Sequence, residues 1–359
     1  MFRLEVLPAR YGDCLWIEYG DEGHPYRVLI DGGAPGVYKR ALKPRIQKVP
    51  DNERNFELLV VTHVDYDHIR GIIELALDEK TPYAAKDVWF NGWRHLPSDD
   101  PSLLAGKHGE QLTDLLLSNG DNWNQTGFDG KAVVVPDDAP HPQIPLDGGA
   151  VLTLLAPTVL TLRDLRKDWR KSTEDINITP EELEEKRKEG KFKLLGKKKT
   201  PDVPSLLAAE FEEDDSAANG SSIAFLLEYG QLRLLFAGDA HPSTLVETIG
   251  RLGDGRLKIG ACKLPHHGSR GSVSTDLIKA LDCPAYIFSS NGDQFEHPHP
   301  EAVARVIAHG GEEPELIFNY RTDETKIWDD EGLRKRHGYR VSYPDSDTGG
   351  VTLEWELDE

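Results

Sequence analysis

The chain has 359 residues, 38% of them apolar and 29% charged, with a net charge of −20. That length buries a sizeable core, in one large domain or two ordinary ones, while the acidic balance excludes a basic nucleic-acid-binding module. A phosphate-bearing substrate is compatible with such a chain only where bound cations invert the local potential.

No run approaches the ~18 consecutive apolar residues of a membrane span, and the start MFRLEVLPARYGD lacks the basic-then-apolar layout of a signal peptide. The expected address is the cytoplasm, with no membrane partner. Cys14, Cys262 and Cys283 are widely spaced and form no C-x-x-C pair, so they read as small buried hydrophobes.

In chain order, FRLEVLPA, CLWIEYG and YRVLIDGG read as three meandering strands separated by turn residues. FELLVVTH is a continuous apolar run of the kind a doubly covered strand shows, and IRGIIELAL after it has helical period. DVWFNGW is read as a strand, GEQLTDLLLSN as a helix, and KAVVVP and AVLTLLAP as two further strands. From about 157 to 219 the composition becomes highly charged, which reads as an insertion with Thr179-Pro180-Glu181-Glu182 as a helix start and EFEEDDSAANG as a flexible acidic tail. SSIAFLLEYG and LRLLFAGDA then suggest a hairpin, STLVETIGRL a helix and RLKIGACKLP one buried strand. A helix, the strand AYIFSS, a His-Pro-rich loop and the helix PEAVARVIA follow, and from about 314 two or three more strands.

Thr62-His63-Val64-Asp65-Tyr66-Asp67-His68 places four potential metal ligands at the mouth of a buried strand. Carboxylates packed so closely repel one another unless a cation neutralises them. A dinuclear metal site resolves the conflict, and the carboxyl ends of strands are where layered α/β proteins place chemistry. His108 and His141, in polar loops, read as surface histidines.

The motif His63-Val64-Asp65-Tyr66-Asp67-His68, followed by Gly71, resembles the H-x-[HD]-x-D-H signature of the metallo-β-lactamase fold. Its Asp at the third position is similar to the metallohydrolase domain of the DNA-uptake competence protein ComEC and its soluble relatives. Gly12-Asp13, Asp31-Gly32-Gly33, Asn219-Gly220-Ser221-Ser222, Phe236-Ala237-Gly238-Asp239, Lys263-Leu264-Pro265-His266-His267-Gly268-Ser269 and His297-Pro298-His299-Pro300 fall in that family's order. The resemblance implies a single α/β domain over 1–359, an αββα sandwich of two mixed sheets flanked by helices. It thins in the 157–219 insertion and the C-terminal β-rich extension.

It further implies that His63 and Asp65 hold one metal, that Asp67 and His68 hold the other, and that Asp239 bridges them, with Asp31 orienting ligands. The histidine many members carry before the bridging aspartate is absent, so His266 and His267 are expected to fill the gap, one for each metal.

An aspartate in place of a histidine adds a hard oxygen donor, which favours manganese or magnesium, with zinc also allowed. Two such ions a few ångströms apart are expected to hydrolyse a phosphodiester through a metal-bridging hydroxide. Asp67 is expected in the catalytic machinery, His297 or His299 as the leaving group's acid, and Ser222 and Ser269 as donors to a phosphate oxygen or as turn caps. Lys197, Lys198 and Lys199 in the insertion are candidates for guiding DNA, although the glutamates preceding them favour a solvated, salt-bridged surface. The insertion also offers a surface to a protein partner.

The leading expectation is a DNA-acting phosphodiesterase or nuclease. Its alternatives are a hydrolase of a small ester or phosphocholine-type substrate, which the acidity favours, and a non-catalytic metal-binding scaffold subunit.

Overall fold

The computed structural model describes residues 1–97, 111–173, 200–346 and 348–357. His108 and the lysines Lys197, Lys198 and Lys199 lie outside the described residues.

β1 (Phe2–Val6), β2 (Leu15–Tyr19) and β3 (Tyr26–Ile30) form the antiparallel meander their alternation predicts. β4 (Leu58–Val60) pairs parallel to β3 and leads into α1 (Tyr66–Ala76). β5 (Val88–Trp89) follows, then α2 (Gln111–Asn119), β6 (Gln143–Pro145), β7 (Val151–Ala156) and α3 (Val159–Thr173). The second half consists of β8 (Ala224–Tyr229), β9 (Leu232–Phe236), α4 (Pro242–Gly250), β10 (Ala261–Lys263), α5 (Thr275–Ala280), β11 (Ala285–Phe288) and α6 (Pro300–His309). β12 (Glu315–Phe318), β13 (Arg340–Ser342) and β14 (Val351–Trp355) complete it.

One sheet has the order β14-β1-β2-β3-β4-β5 and the other β13-β12-β11-β10-β9-β8-β7-β6, both mixed. Strand alternation sorts the side chains into layers. Leu4, Ile17, Leu154, Phe225, Leu227, Leu234 and Phe236 fill the space between the sheets. Trp16, Leu29 and Leu59 face outward under Ile69, Ile72, Ile73 and Leu165, while Leu226, Leu235 and Cys262 face outward under Leu245, Ile249, Val303 and Val306. Helix, sheet, sheet and helix follow in that order, each burying its apolar face against the next. The three cysteines are free and buried.

Four local readings are corrected. KAVVVP forms no strand: Val133 and Val135 are buried, but Asn91 satisfies the Val133 backbone from both sides, donating to its oxygen at 2.8 Å and accepting from its nitrogen at 2.9 Å. A side chain has replaced the ladder at Val133, Val135 keeps a single bridge to Thr158, and β6 takes the sheet edge instead. RLKIGACKLP is two strands, not one. Leu257–Lys258 pairs with Leu281–Asp282 in a separate small sheet, and the chain turns at Gly260, whose nitrogen donates to Arg233 O at 2.7 Å, before β10.

The acidic tail is fastened: Asp214 N donates to Gly271 O at 3.0 Å, and Asn219 Nδ2 donates to Asp214 Oδ2 at 2.5 Å. Trp169, read as part of an insertion, is 3% exposed in the core beside Leu162 and Leu165. After 314, β12 and β13 extend one sheet and β14 pairs with β1 in the other. No helix among the described residues is long and apolar enough to cross a membrane.

Candidate metal centre

The carboxyl ends of β3, β4, β9, β10 and β11 meet at one edge of the sandwich, and the loops leaving them carry the polar residues the sequence singled out. Asp65 precedes the first turn of α1 in extended backbone, so Asp67 and His68 enter on that turn while His63 and Asp65 stay on the loop. This arrangement depends on close backbone contact: Gly32 N donates to His68 O at 2.8 Å and Gly71 N to Gly33 O at 3.3 Å. A Cβ on Gly71 would lie 1.9 Å from Gly32 O, so only glycine lets the helix approach.

Asp239 Oδ2 is the focus of the site. It lies 3.4 Å from His68 Nε2, 3.6 Å from His267 Nε2, 3.9 Å from His266 Nε2 and 4.0 Å from His63 Nε2. His63 Nε2 is 3.6 Å from Asp65 Oδ2, and His267 Nε2 is 3.6 Å from Asp67 Oδ2. His266 and His267 both have positive φ, 47° and 55°, which splays their rings to an interplanar angle of 76°. The two neighbours thus aim different ways around the same carboxylate.

Each of the four rings has its Nδ1 engaged. His68 Nδ1 donates to Asp31 Oδ2 at 2.8 Å, and Asp31 is fixed in turn by Thr62 N and Thr62 Oγ1, both at 2.8 Å. Thr62 Oγ1, having given its proton to Asp31, accepts from His63 Nδ1 at 3.0 Å. Ser222 Oγ lies 3.1 Å from the same nitrogen and accepts from Asp239 N at 3.1 Å. His266 Nδ1 donates to Asp214 Oδ2 at 3.0 Å, and His267 Nδ1 faces Ser289 Oγ at 3.3 Å and Asp13 Oδ1 at 3.4 Å.

With every Nδ1 committed as donor, each Nε2 presents a lone pair inward. His68 Nε2 and His267 Nε2 then face each other at 3.2 Å beside an ionised carboxylate. Among the described residues His63 Nε2 and Asp239 Oδ1 are buried with no hydrogen-bond partner. Lone pairs pointed at one another are unfavourable unless a cation lies among them. Two donors about 2.1 Å from one ion stand roughly 3.0–3.4 Å apart, close to the spacing here. The residues fit divalent metal.

The electrostatics agree. Burial opposes charge on His68, yet Asp239, Asp31 and Asp67 raise its pKa well above the ordinary value. His267 is pushed up to about 9 against its burial by Asp239 and Asp13. Burial works against the charge of Asp239 as well, but His68, His267 and His266 bring its pKa well below the usual range. The carboxylates make the pocket negative, which favours positive charge among the ring nitrogens.

The outlying candidates divide. His297 is 3% exposed, its ring 5.1 Å from that of His266, and its Nδ1 has no partner among the described residues. Burial, then His266 and His299, lower its pKa well below normal, so the ring is neutral. His299 Nδ1 accepts from Arg270 N at 3.0 Å and so braces the loop. Ser269, read as a phosphate donor or a turn cap, takes the capping role: its Oγ accepts from Gly271 N at 3.3 Å within its own turn. His141 is occupied with Leu154 O at 2.8 Å, on β7.

Asp13 and Asp214 were not singled out from the sequence as site residues. Asp13 nevertheless groups with His68, Asp239 and His267 within 4.8 Å. Asp214 lies in a stretch whose only signal was its acidity, and burial, opposed by His266 and Asn219, leaves its pKa at about 2.

Residues 7–161 match the family model described as Metallo-beta-lactamase superfamily. ComE operon protein 3 of Bacillus subtilis (strain 168) is 26% identical over 144 residues, 39% of this chain and 17% of that protein's length. Solved structures with a similar course include Igni18, a metallo hydrolase from Ignicoccus hospitalis KIN4/I (12% identity, 99% of each chain, TM-score 0.41), and a diphosphatase from the PhnP family (12% identity, 98% of this chain and 87% of that one, TM-score 0.39). The family match over residues 7–161, the two mixed sheets flanked by helices and the converging donors give this chain the metallo-β-lactamase fold and support a metal-dependent hydrolase.

Proposed function

We propose that the protein is a two-metal phosphodiesterase whose substrate is DNA. The observation that carries the reading is Asp239 Oδ2 at the focus of four imidazole nitrogens, with its Oδ1 unpartnered. His63, Asp65 and His266 would hold one cation and Asp67, His68 and His267 the other, with Asp239 available to both. When bound, two divalent ions supply an ionised water at neutral pH and neutralise charge on attacking and leaving oxygens. The hard carboxylate donors Asp65 and Asp67 favour manganese or magnesium over zinc.

The chain's own groups do the remainder. Asp31, Thr62, Asp214 and Ser222 hold the ring tautomers, so the donor lone pairs need no rearrangement when substrate arrives. His297, neutral and buried against His266, donates an N–H to the phosphoryl or leaving oxygen, and His299 holds its loop in place. DNA as substrate rests on the resemblance to the competence-protein domain, and Lys197, Lys198 and Lys199 are its candidate guides. The net charge of −20 favours a small phosphate or carboxylic ester instead.

Metal counting by elemental analysis tests the site, with two ions per chain expected. Rates on single-stranded DNA, duplex DNA, bis-p-nitrophenyl phosphate and p-nitrophenyl acetate in manganese test the substrate. Cleavage of the acetate alone overturns the phosphodiesterase reading, and cleavage of the small diester without DNA overturns the nuclease reading.

A further inference from the structure

Lys263, the last residue of β10, is 1% exposed, and a buried ammonium is strongly unfavourable without a partner. Its Nζ donates to Asp13 Oδ2 at 2.5 Å and to Leu264 O at 2.9 Å. Asp13, also 1% exposed, immediately precedes Cys14 and β2. Its second oxygen, Oδ1, accepts from the Ser289 hydroxyl and lies 3.4 Å from His267 Nδ1. Ser289 gives its proton to Asp13 and so presents a lone pair to His267 Nδ1 at 3.3 Å.

Asp13 therefore has two possible roles, since it also lies within 4.8 Å of donors from His68, Asp239 and His267. Lys263 decides between them. One oxygen of Asp13 is taken by the ammonium and the other by Ser289 and His267, which leaves neither directed at a metal. Asp13 stands between the Lys263 ammonium and the His267 ring, so its carboxylate balances a buried positive charge on one side and meets the imidazole N–H on the other.

We propose that Asp13, anchored by Lys263, is a positioning residue that fixes the tautomer and direction of His267 and thereby sets the affinity for the cation His267 shares with Asp67 and His68. The proposal rests on the two-metal reading above. The buried pair supplies a carboxylate of fixed position whose charge is already balanced, and Ser289 completes the cradle.

The test is a titration of the full chain with Mn²⁺ and with Zn²⁺ against a chromophoric chelator. Wild type binding two equivalents checks the underlying reading by itself. Asp13→Asn is expected to keep one equivalent at wild-type affinity and to bind the second about 10- to 100-fold more weakly. Asp13→Asn with Lys263→Met removes both charges, and is expected to restore stability but leave the second equivalent weak. Unchanged affinity for both ions in Asp13→Asn, or recovery of the second in the double variant, overturns the proposal, since Asp13 would then serve Lys263 alone. Should neither variant fold, ¹⁵N-histidine NMR of the zinc-loaded wild type decides: the Nδ1–H tautomer at His267 is expected, and the Nε2–H tautomer refutes the orienting role.

Discussion

Asp239 has the least tolerance of substitution, because its Oδ2 lies within 4.0 Å of four ring nitrogens and no conservative replacement keeps both charge and reach. Asp239→Asn keeps the shape and removes the charge. It is expected to lower diester hydrolysis by more than roughly 100-fold and bound metal below one ion per chain, with circular dichroism unchanged. Two metals retained in that variant would contradict the bridging role. His141→Ala provides the contrast: its ring holds Leu154 O away from the metal edge, so metal content and rate should match wild type. At this scale the H-x-D-x-D-H run was legible because its donors are adjacent in sequence. Asp13 and Lys263 are 250 residues apart, and nothing local in either shows that they meet.

Elements place the donors, and two make predictions of their own. α1 approaches the Asp31–Gly33 loop backbone to backbone, so a methyl on Gly71 meets a carbonyl oxygen and no rotamer relieves it. Gly71→Ala is expected to destabilise by about 3 kcal/mol in urea unfolding and to weaken metal binding, because Asp67 and His68 ride on the displaced turn. Normal metal affinity in that variant would show the contact to be dispensable.

The short helical turn Trp93–His95 buries His95 edge-on to Trp123, with ring centroids 4.5 Å apart. Burial, then Arg94, lowers its pKa to about 4. The unfolded chain therefore takes up a proton near pH 6.5 that the folded chain resists, and stability falls as pH drops from about 6.5 to 4. The loss is on the order of 3 kcal/mol. His95→Phe should flatten that limb of the unfolding curve in metal-free protein, and an unchanged pH profile would exclude His95 as its source. Element types were readable from period and turn residues. KAVVVP misled because its apolar character reported burial, while Asn91, a distant side chain, satisfies Val133 and only an isolated bridge from Val135 to Thr158 remains of a ladder.

Across the whole molecule the metal edge draws donors from both halves: His63 through His68 follow β4 in one sheet, and Asp239, His266 and His267 follow β9 and β10 in the other. Metal binding therefore ties the two sheets together and should favour the folded state by mass action, about 2.7 kcal/mol per site at 100-fold excess over Kd. Calorimetry is expected to show Tm rising with added manganese and falling on chelation. A Tm indifferent to metal would place the ions outside the sandwich seam. If the lysines guide DNA, changing Lys197, Lys198 and Lys199 to Ala should slow DNA cleavage at low salt and reduce its salt dependence, leaving the small diester untouched, because each lost phosphate contact removes released counterions. Equal effects on both substrates would assign those residues to something other than DNA.

What the sequence determined by itself was whatever is encoded locally: strand and helix periods, the acidic balance, and the concentration of ligands after one buried strand. These depend on neighbours a few residues apart, where spacing directly sets which side chains share a face. The resemblance already pointed to Asp31 as an orienting residue, but only tertiary structure decided which donor each such group holds, and that Asp13 and Asp214 are among them. Asp31 with His68, Asp214 with His266 and Asp13 with His267 pair across 37, 52 and 254 residues, and such partners are chosen by how the sheets stack. It also decided that the acidic stretch before Asn219 is a fastened part of the site, because a carboxylate becomes a ligand's anchor only where an imidazole N–H arrives to meet it.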